Sequence, residues 1–336
     1  MQFTAYTGRL AGSISVLLAG WSPLQAQQSG YPDVAAQMRH VDYHIDSTTV
    51  LDIEYLRGAL QPTSPAHSPY FDEKNSFNLR IDSARIAVTP TNLSNLLNHY
   101  TFAFPGSPLR SLQVTIEQGQ LKMEGRMRGI SFTMLGDLTL TEAGELRIHP
   151  TSMKAVGIKV GGLMKFLGLN LEKLIKARGD RGVRIEKNDF YLSPSKLLPP
   201  PRVLGRLSKV EVNDSAVVQI FRPDSGRKIE PLTIPNPKAQ NYMFYRGGTL
   251  RFGKLTMRDT DLLIEDAEPN DPFDFFLDEY NAQLVAGYSK NTPDHGLITV
   301  MQDWKRAPAL KRAEKGKKAE KTGTDEKAEK LERGEK

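Results

Sequence analysis

In successive runs between Phe77 and Ile148 apolar residues recur at every second position, a period that confines those runs to β-strands. "FNLRIDSARIAV" carries Phe77, Leu79 and Ile81 and runs out to Ile86 and Val88. Leu112, Val114 and Ile116 follow, then Leu121, Met123, Gly125 and Met127, then Ile130, Phe132 and Met134, then Leu138 and Leu140, then Leu146 and Ile148. Such runs predict an antiparallel meander with one apolar face, turning at Gln118-Gly119, Leu135-Gly136 and Ala143-Gly144. One helix interrupts it. In "TPTNLSNLLNHY", Thr89 is placed to cap, Pro90 suits the first turn, and Leu93, Leu96, Leu97 and Tyr100 share a face.

After the meander the period changes. Residues 151–160 can complete the sheet, but from Gly162 onward Leu163, Met164, Leu167, Leu171, Leu174 and Ile175 fall on one helical stripe, with Lys165, Asn170, Glu172, Lys173 and Lys176 opposite. A membrane span needs roughly 20 consecutive apolar residues, and these charges interrupt the run, so the pattern predicts an amphipathic helix over 162–177, ended by "RGDRG". Gly157, Gly161, Gly162 and Gly168 imply close approach of helix to sheet or ligand, or a hinge. Three more strands are expected in "VRIEKNDFYLSP" and "RLSKVEVNDSAVVQIF", and two or three in "YMFYRGGTLRFGKLTMRDTDLLIED", with Gly247-Gly248 as a turn. Residues 31–70 read as an edge strand or two and a Pro/Ser-rich loop. The fold class expected is α+β, mostly β: a curved antiparallel sheet wrapped around a long amphipathic helix, with a disordered charged C-terminal tail.

The two ends carry their own signals. "MQFTAYTGRLAGSISVLLAGWSPLQAQQ" has a positive region at Arg9, an apolar core over Leu10–Trp21 and a small-residue site at Leu24-Gln25-Ala26, which predicts a secretory signal cut after Ala26 and a periplasmic or secreted protein. The net charge of +6 sits mostly in the tail from Lys305 to Lys336, where 12 Lys or Arg against 7 Asp or Glu give +5; Arg9 supplies +1 and the body is neutral. A neutral body argues against a nucleic-acid partner. The tail has too few apolar residues to offset the entropy of ordering, and its Lys and Arg offer peripheral contact with anionic membrane surfaces. Without cysteine there are no disulfides, thiolate chemistry or cysteine metal sites. The organisation expected is a signal peptide over 1–26, an N-terminal extension over 27–75, an α+β domain over 76–235, a β-rich extension over 236–304 packed on it, and the tail over 305–336.

Residues 77–221 resemble the exported, LmeA-like family of bacterial phospholipid-binding domains, through "IAVTPTNLSNLLN", "LKMEGRMRGISFTMLGDLTLTEAGELRIHP", the stripe over 162–177 and "DFYLSPSKLLPPPRVLGRLSKVEV". The resemblance implies a sheet curled about a long helix, like the tubular lipid-binding folds, with acyl chains held between them. The block 240–304 and the tail lie outside that pattern, and the family brings no catalytic set. The groove expected is lined by Met123, Met127, Phe132, Met134, Leu163, Met164, Phe166, Leu167, Leu171 and Leu174, since methionine adapts to irregular apolar ligands. The partner expected is a phospholipid or other amphiphile, with no cofactor and no enzymatic chemistry. The competing reading is a structural or assembly protein of the cell envelope whose apolar face is closed core.

Other chemistry has weaker carriers. His40 and His44 in "RHVDYHID" would share a strand face, without the Glu of a zinc protease, and His67, His99, His149 and His295 are scattered. No G-x-S-x-G elbow or phosphate-cradling glycine loop occurs. The acidic run "DTDLLIEDAEPNDPFDFF" offers oxygen ligands for calcium but lacks EF-hand spacing, so a solvated loop is expected there.

Overall fold

The computed structural model describes residues 30–156, 171–175, 181–223, 226 and 228–307. The expected signal peptide, Leu163, Met164, Phe166, Leu167, the four glycines 157, 161, 162 and 168, and the tail from residue 308 lie outside these.

Three long antiparallel strands found the structure: β1 (Val34–Asp46), β2 (Thr49–Pro62) and β3 (Phe77–Val88). They turn Ala36, Met38, Leu56, Ile81 and Ile86 inward. After the helix α1 (Pro90–Leu96), extended by a π turn to Thr101, come β4 (Leu109–Glu117), β5 (Gln120–Met127), β6 (Ile130–Leu140) and β7 (Leu146–Val156). A short helix α2 (Leu171–Leu174) leads to β8 (Val183–Glu186) and β9 (Asp189–Leu192), which close a six-stranded sheet in the order β4-β5-β6-β7-β9-β8. The chain then passes α3 (Pro194–Leu197) and returns to the first sheet with β10 (Arg202–Leu204), β11 (Leu207–Val212) and β12 (Val217–Phe221).

The remaining strands are β13 (Tyr242–Arg246), β14 (Thr249–Phe252), β15 (Leu255–Arg258), β16 (Asp261–Asp266), β17 (Phe273–Phe276), β18 (Tyr288–Asn291) and β19 (Leu297–Met301), with α4 (Tyr280–Ala286) before β18. All but the β14–β15 hairpin join the first sheet, giving eleven strands along β11-β12-β3-β2-β1-β13-β16-β19-β18, with β10 on β3 and β17 on β1. One half of this sheet faces the six-stranded sheet, and a single apolar core takes Leu56 and Ile86 from the one and Leu121, Met134 and Ile148 from the other. The other half is covered on both faces. Phe71 meets Tyr245, Phe252 and Tyr280 edge-on at ring distances of 5.4–5.6 Å, while Tyr242, Phe244 and Leu263 pack beneath Leu232 and Ile234 on the reverse side.

The sheet wrapped around a long amphipathic helix is therefore not this architecture. The longest helical run among the described residues is the twelve residues Pro90–Thr101, and of the stripe over 162–177 only Leu171–Leu174 is described as helix, with Ile175 already past its end. Among the described residues the meander's apolar face is met by the first sheet, with the short helix α1 at one side, rather than by a long helix. The expected edge strands of residues 31–70 are likewise central: β1 and β2 stand between β3 and β13. The block 236–304 continues the same sheet through the β1–β13 pairing.

The meander otherwise follows the sequence, with one turn displaced. Gln118 and Gly119, at φ of 52° and 77°, form the turn expected there. Leu135-Gly136 does not turn, and β6 runs straight through it. A Cβ on Gly136 would stand 3.0 Å from the His149 carbonyl oxygen, at a register shift with β7, so this glycine serves close strand approach. The turn falls earlier, at Arg128 and Gly129, with φ of 50° and 86°.

Candidate functional site: an apolar cavity between the sheets

Helix α1 begins as its sequence dictates, Thr89 Oγ1 accepting from the Asn92 amide at 3.3 Å with Pro90 in the first turn. Its polar side chains then tie it to both sheets. Toward the β1–β2 hairpin, Asn92 Oδ1 accepts from the Val50 N–H at 3.1 Å, Asn95 Nδ2 donates to the Thr48 carbonyl at 2.6 Å and the Tyr100 hydroxyl donates to Asp46 at 2.6 Å. Toward β4, Asn98 makes a reciprocal pair with the Leu112 backbone at 2.7 and 2.9 Å, and Ser94 Oγ accepts from the Val114 N–H at 2.8 Å. The helix is thus a spacer pinned at fixed distance between two sheets, and Leu93 and Leu96 project from it into the gap.

That gap is not filled. A cavity of about 70 Å³ lies between Ile86, Val88 and Val217 of the large sheet and Leu121, Leu146 and Ile148 of the small one, with Leu197 and Leu198 along one side. Among the described residues, Gln219 is the one polar side chain on its wall. The volume is several times what one water requires, yet the wall lacks the two to four polar partners a buried water needs. Leaving such a space empty costs on the order of 1.7 kcal/mol at roughly 24 cal/mol per Å³. Leu51, Ile86, Leu198 and Val203 also line a second cavity of about 40 Å³ beneath β2 and β3, so these four side chains form the wall the two cavities share.

The residues expected to line a groove are placed beside this space. Met123 and Met134 are cross-strand partners on the inward face of the small sheet, and with Met127, Phe132 and Leu171 they are buried in the common core. None of the five is on the cavity wall. Nothing is described of the Leu174 side chain, and Leu163, Met164, Phe166 and Leu167 lie outside the described residues. The wall residues Leu121, Leu138, Leu146 and Ile148 belong to the alternation already visible in the sequence, whereas the contribution of β12 and of Leu197 and Leu198 carries no local signal, because it depends on the chain's return to the first sheet.

The histidine-bearing stretch of β1 leads elsewhere. His40 sits at a kink with φ of 47°, where the inward set changes from Ala36 and Met38 to Val41. His44 is buried, paired through Nε2 to Asp274 and with Nδ1 3.3 Å from the Asp46 carbonyl. Trp304 lies over its ring at 4.7 Å, donating from its backbone N–H to the Asp274 carbonyl at 2.9 Å and from its indole to Glu279 at 2.6 Å. Both imidazole nitrogens being committed beneath an indole, this pair acts as a clamp that fastens the segment 302–307 to β17. Among the described residues no group of three or more His, Asp or Glu is placed to hold a metal. The acidic run expected as a loop contains β16, whose Leu262, Leu263 and Ile264 are fully buried.

Around this clamp carboxyl groups accumulate, and Asp52, Asp42 and Asp274 form one row across β2, β1 and β17. Burial pushes Asp42 up to about 6, with Asp52 and Asp274 adding to it. Burial likewise lifts Asp266 to about 7, the Asn241 hydrogen bond and Arg306 opposing and Asp271 and Asp274 adding, and lifts Asp303 to about 6. Carboxyls raised in the folded state bind more protons than in the unfolded chain between about pH 4 and 7, so stability declines as pH rises through that window. The melting temperature is expected to be lower at pH 8 than at pH 5, and Asp266→Asn to flatten the slope. Thermal melts across that range check both, and a melting temperature that rises toward pH 8 would contradict the assignment.

Comparison of the sequence with protein-family models and curated proteins, and of the structure with solved structures, gives no match.

Proposed function

We propose that this protein binds a lipid, or a similar amphiphile, by taking a few carbons of an acyl chain into the apolar space between its two sheets. The observation that carries the reading is the unfilled cavity walled by aliphatic side chains, held open by a helix hydrogen-bonded to both sheets. Each methylene transferred there from water gains about 0.8 kcal/mol, so four of them gain roughly 3 kcal/mol and also remove the cost of the void. No bond need be made or broken. The N-terminal sequence and the resemblance to exported phospholipid-binding domains support a place for this activity in the periplasm or outside the cell, in lipid carriage or envelope maintenance.

Native mass spectrometry of the protein purified from cells tests the reading. A copurifying mass removable by organic extraction, with a fatty-acyl chain in the extract, is the expected result. A bare chain mass, together with failure of a neutral apolar dye to bind, would favour the envelope-assembly reading in which the cavity is only a packing defect.

A further inference from the structure

The lining of the smaller apolar cavity includes Tyr43, Leu277 and an ion pair, Lys74 Nζ to Asp278 Oδ1 at 2.7 Å. The same Lys74, Leu277 and Asp278 also line an open surface cleft of about 530 Å³, together with Asp72 and Glu73. The ion pair therefore stands in the wall between the apolar interior and water. Its two side chains are one-third and two-fifths exposed, a setting in which such a pair contributes little to stability and can exchange partners at small cost. The cleft lining sets three carboxylates, Asp72, Glu73 and Asp278, against one ammonium, with the Arg251 guanidinium acting on Asp72 from outside the lining. Asp72 is fixed in place by the Asn281 amide at 2.9 Å.

Resting on the lipid-binding reading, we infer that this ion pair is the mouth of the acyl site and that the cleft takes a zwitterionic phosphoamine headgroup, its phosphate on Lys74 and its ammonium among the three carboxylates. The arrangement follows from charge. An anionic headgroup gains Lys74 but meets a net excess of carboxylate, and a cationic one gains the carboxylates but must pass Lys74. A zwitterion satisfies both, with Lys74 turning from Asp278 to the phosphate while the ammonium replaces it beside Asp278. The flexible four-carbon stem of lysine permits that swing, which a planar guanidinium would make harder.

Displacement of a neutral apolar dye from the full chain, by dodecanol, dodecyl sulfate, dodecyltrimethylammonium and dodecylphosphocholine below their micelle concentrations, reads the headgroup at constant tail. Dodecylphosphocholine is expected to bind tightest. Lys74→Gln should weaken it about threefold or more while strengthening dodecyltrimethylammonium and leaving dodecanol unchanged. Asp278→Asn should weaken dodecyltrimethylammonium and strengthen dodecyl sulfate. If dodecanol and the dye bind but all four headgroups behave alike in every variant, the mouth lies elsewhere and the acyl site stands. If neither dodecanol nor the dye binds, the acyl site itself is refuted, and the headgroup assignment falls with it.

Discussion

Replacing Gly58 by alanine is expected to destabilise the protein by about 3–5 kcal/mol, at the severe end of single substitutions. Gly58 lies in β2 at a register shift with β3, and a Cβ built there would stand 2.0 Å from the Arg80 carbonyl oxygen, with the Arg80 carbonyl carbon at 3.0 Å and Ile81 Cα at 3.2 Å. All three are backbone atoms, so no side chain can rotate out of the way. Relief requires β2 and β3 to separate, and these strands hold together the half of the large sheet that faces the cavity. For a domain of this size the melting temperature should fall by roughly 6–15 °C. Gly106→Ala supplies the contrast. Gly106 has φ of 76° but nothing within 4 Å of an added Cβ, so only the left-handed backbone resists, at about 1–2 kcal/mol. Equal losses at the two positions, measured by denaturant unfolding, would show that backbone conformation and not strand approach limits Gly58.

The same strands show what is legible in the sequence. A period of two reports which side chains share a face, and it places β3 through β7 and the inward set from Leu121 to Ile148. The cap and apolar face of α1 are legible for the same reason, since both are local. Sheet order is not local. Residues 31–70 read as an edge strand or two because nothing local to their short apolar alternations names the strands that flank them; the exposed Asp52 and Glu54 of β2 point away from a face that is central to the fold. β16 is legible only in part: it ends a stretch expected to hold two or three strands, yet Leu262, Leu263 and Ile264, buried on both faces, do not alternate, and the acids around them suggest solvent. Gly136 illustrates how one residue type serves two ends, a turn or a close approach, which only the partner strand distinguishes.

For the site, the sequence shows the apolar face and not the space. Methionine suggests a groove because it adapts to a ligand, but the same flexibility lets Met123 and Met134 fill the core around them. Space remains where the branched side chains of Val88 and Val217 face Ile148 across a gap that α1 fixes, and no local pattern records the width of that gap. The residues setting it, Asn92, Asn95 and Asn98, carry no sequence signal beyond the polar side of a helix.

Filling that gap should separate stability from binding. Val88→Phe adds an aromatic ring from a position buried at the end of β3, directly paired with Val217, where the wall of the 70 Å³ cavity is formed. In a packed core such enlargement destabilises by about 1–3 kcal/mol. Here the ring has a void to enter, and filling it returns up to roughly 1.7 kcal/mol at about 24 cal/mol per Å³, so the unliganded protein should melt at the wild-type temperature or above it. The acyl chain then has no place to go, and affinity for a neutral twelve-carbon alcohol should fall tenfold or more, about 1.4 kcal/mol. Because a ligand that binds only the folded state raises stability with its concentration, the wild-type melting temperature should climb as the alcohol is added and that of Val88→Phe should not. Ile148→Trp approaches the same space from the opposite sheet and should reproduce the result, which guards against a local defect at either position. Two variants that melt well below the wild type while retaining the alcohol would mean that the gap is occupied by the protein's own side chains in solution, and that ligand, where it binds, binds outside the sheets.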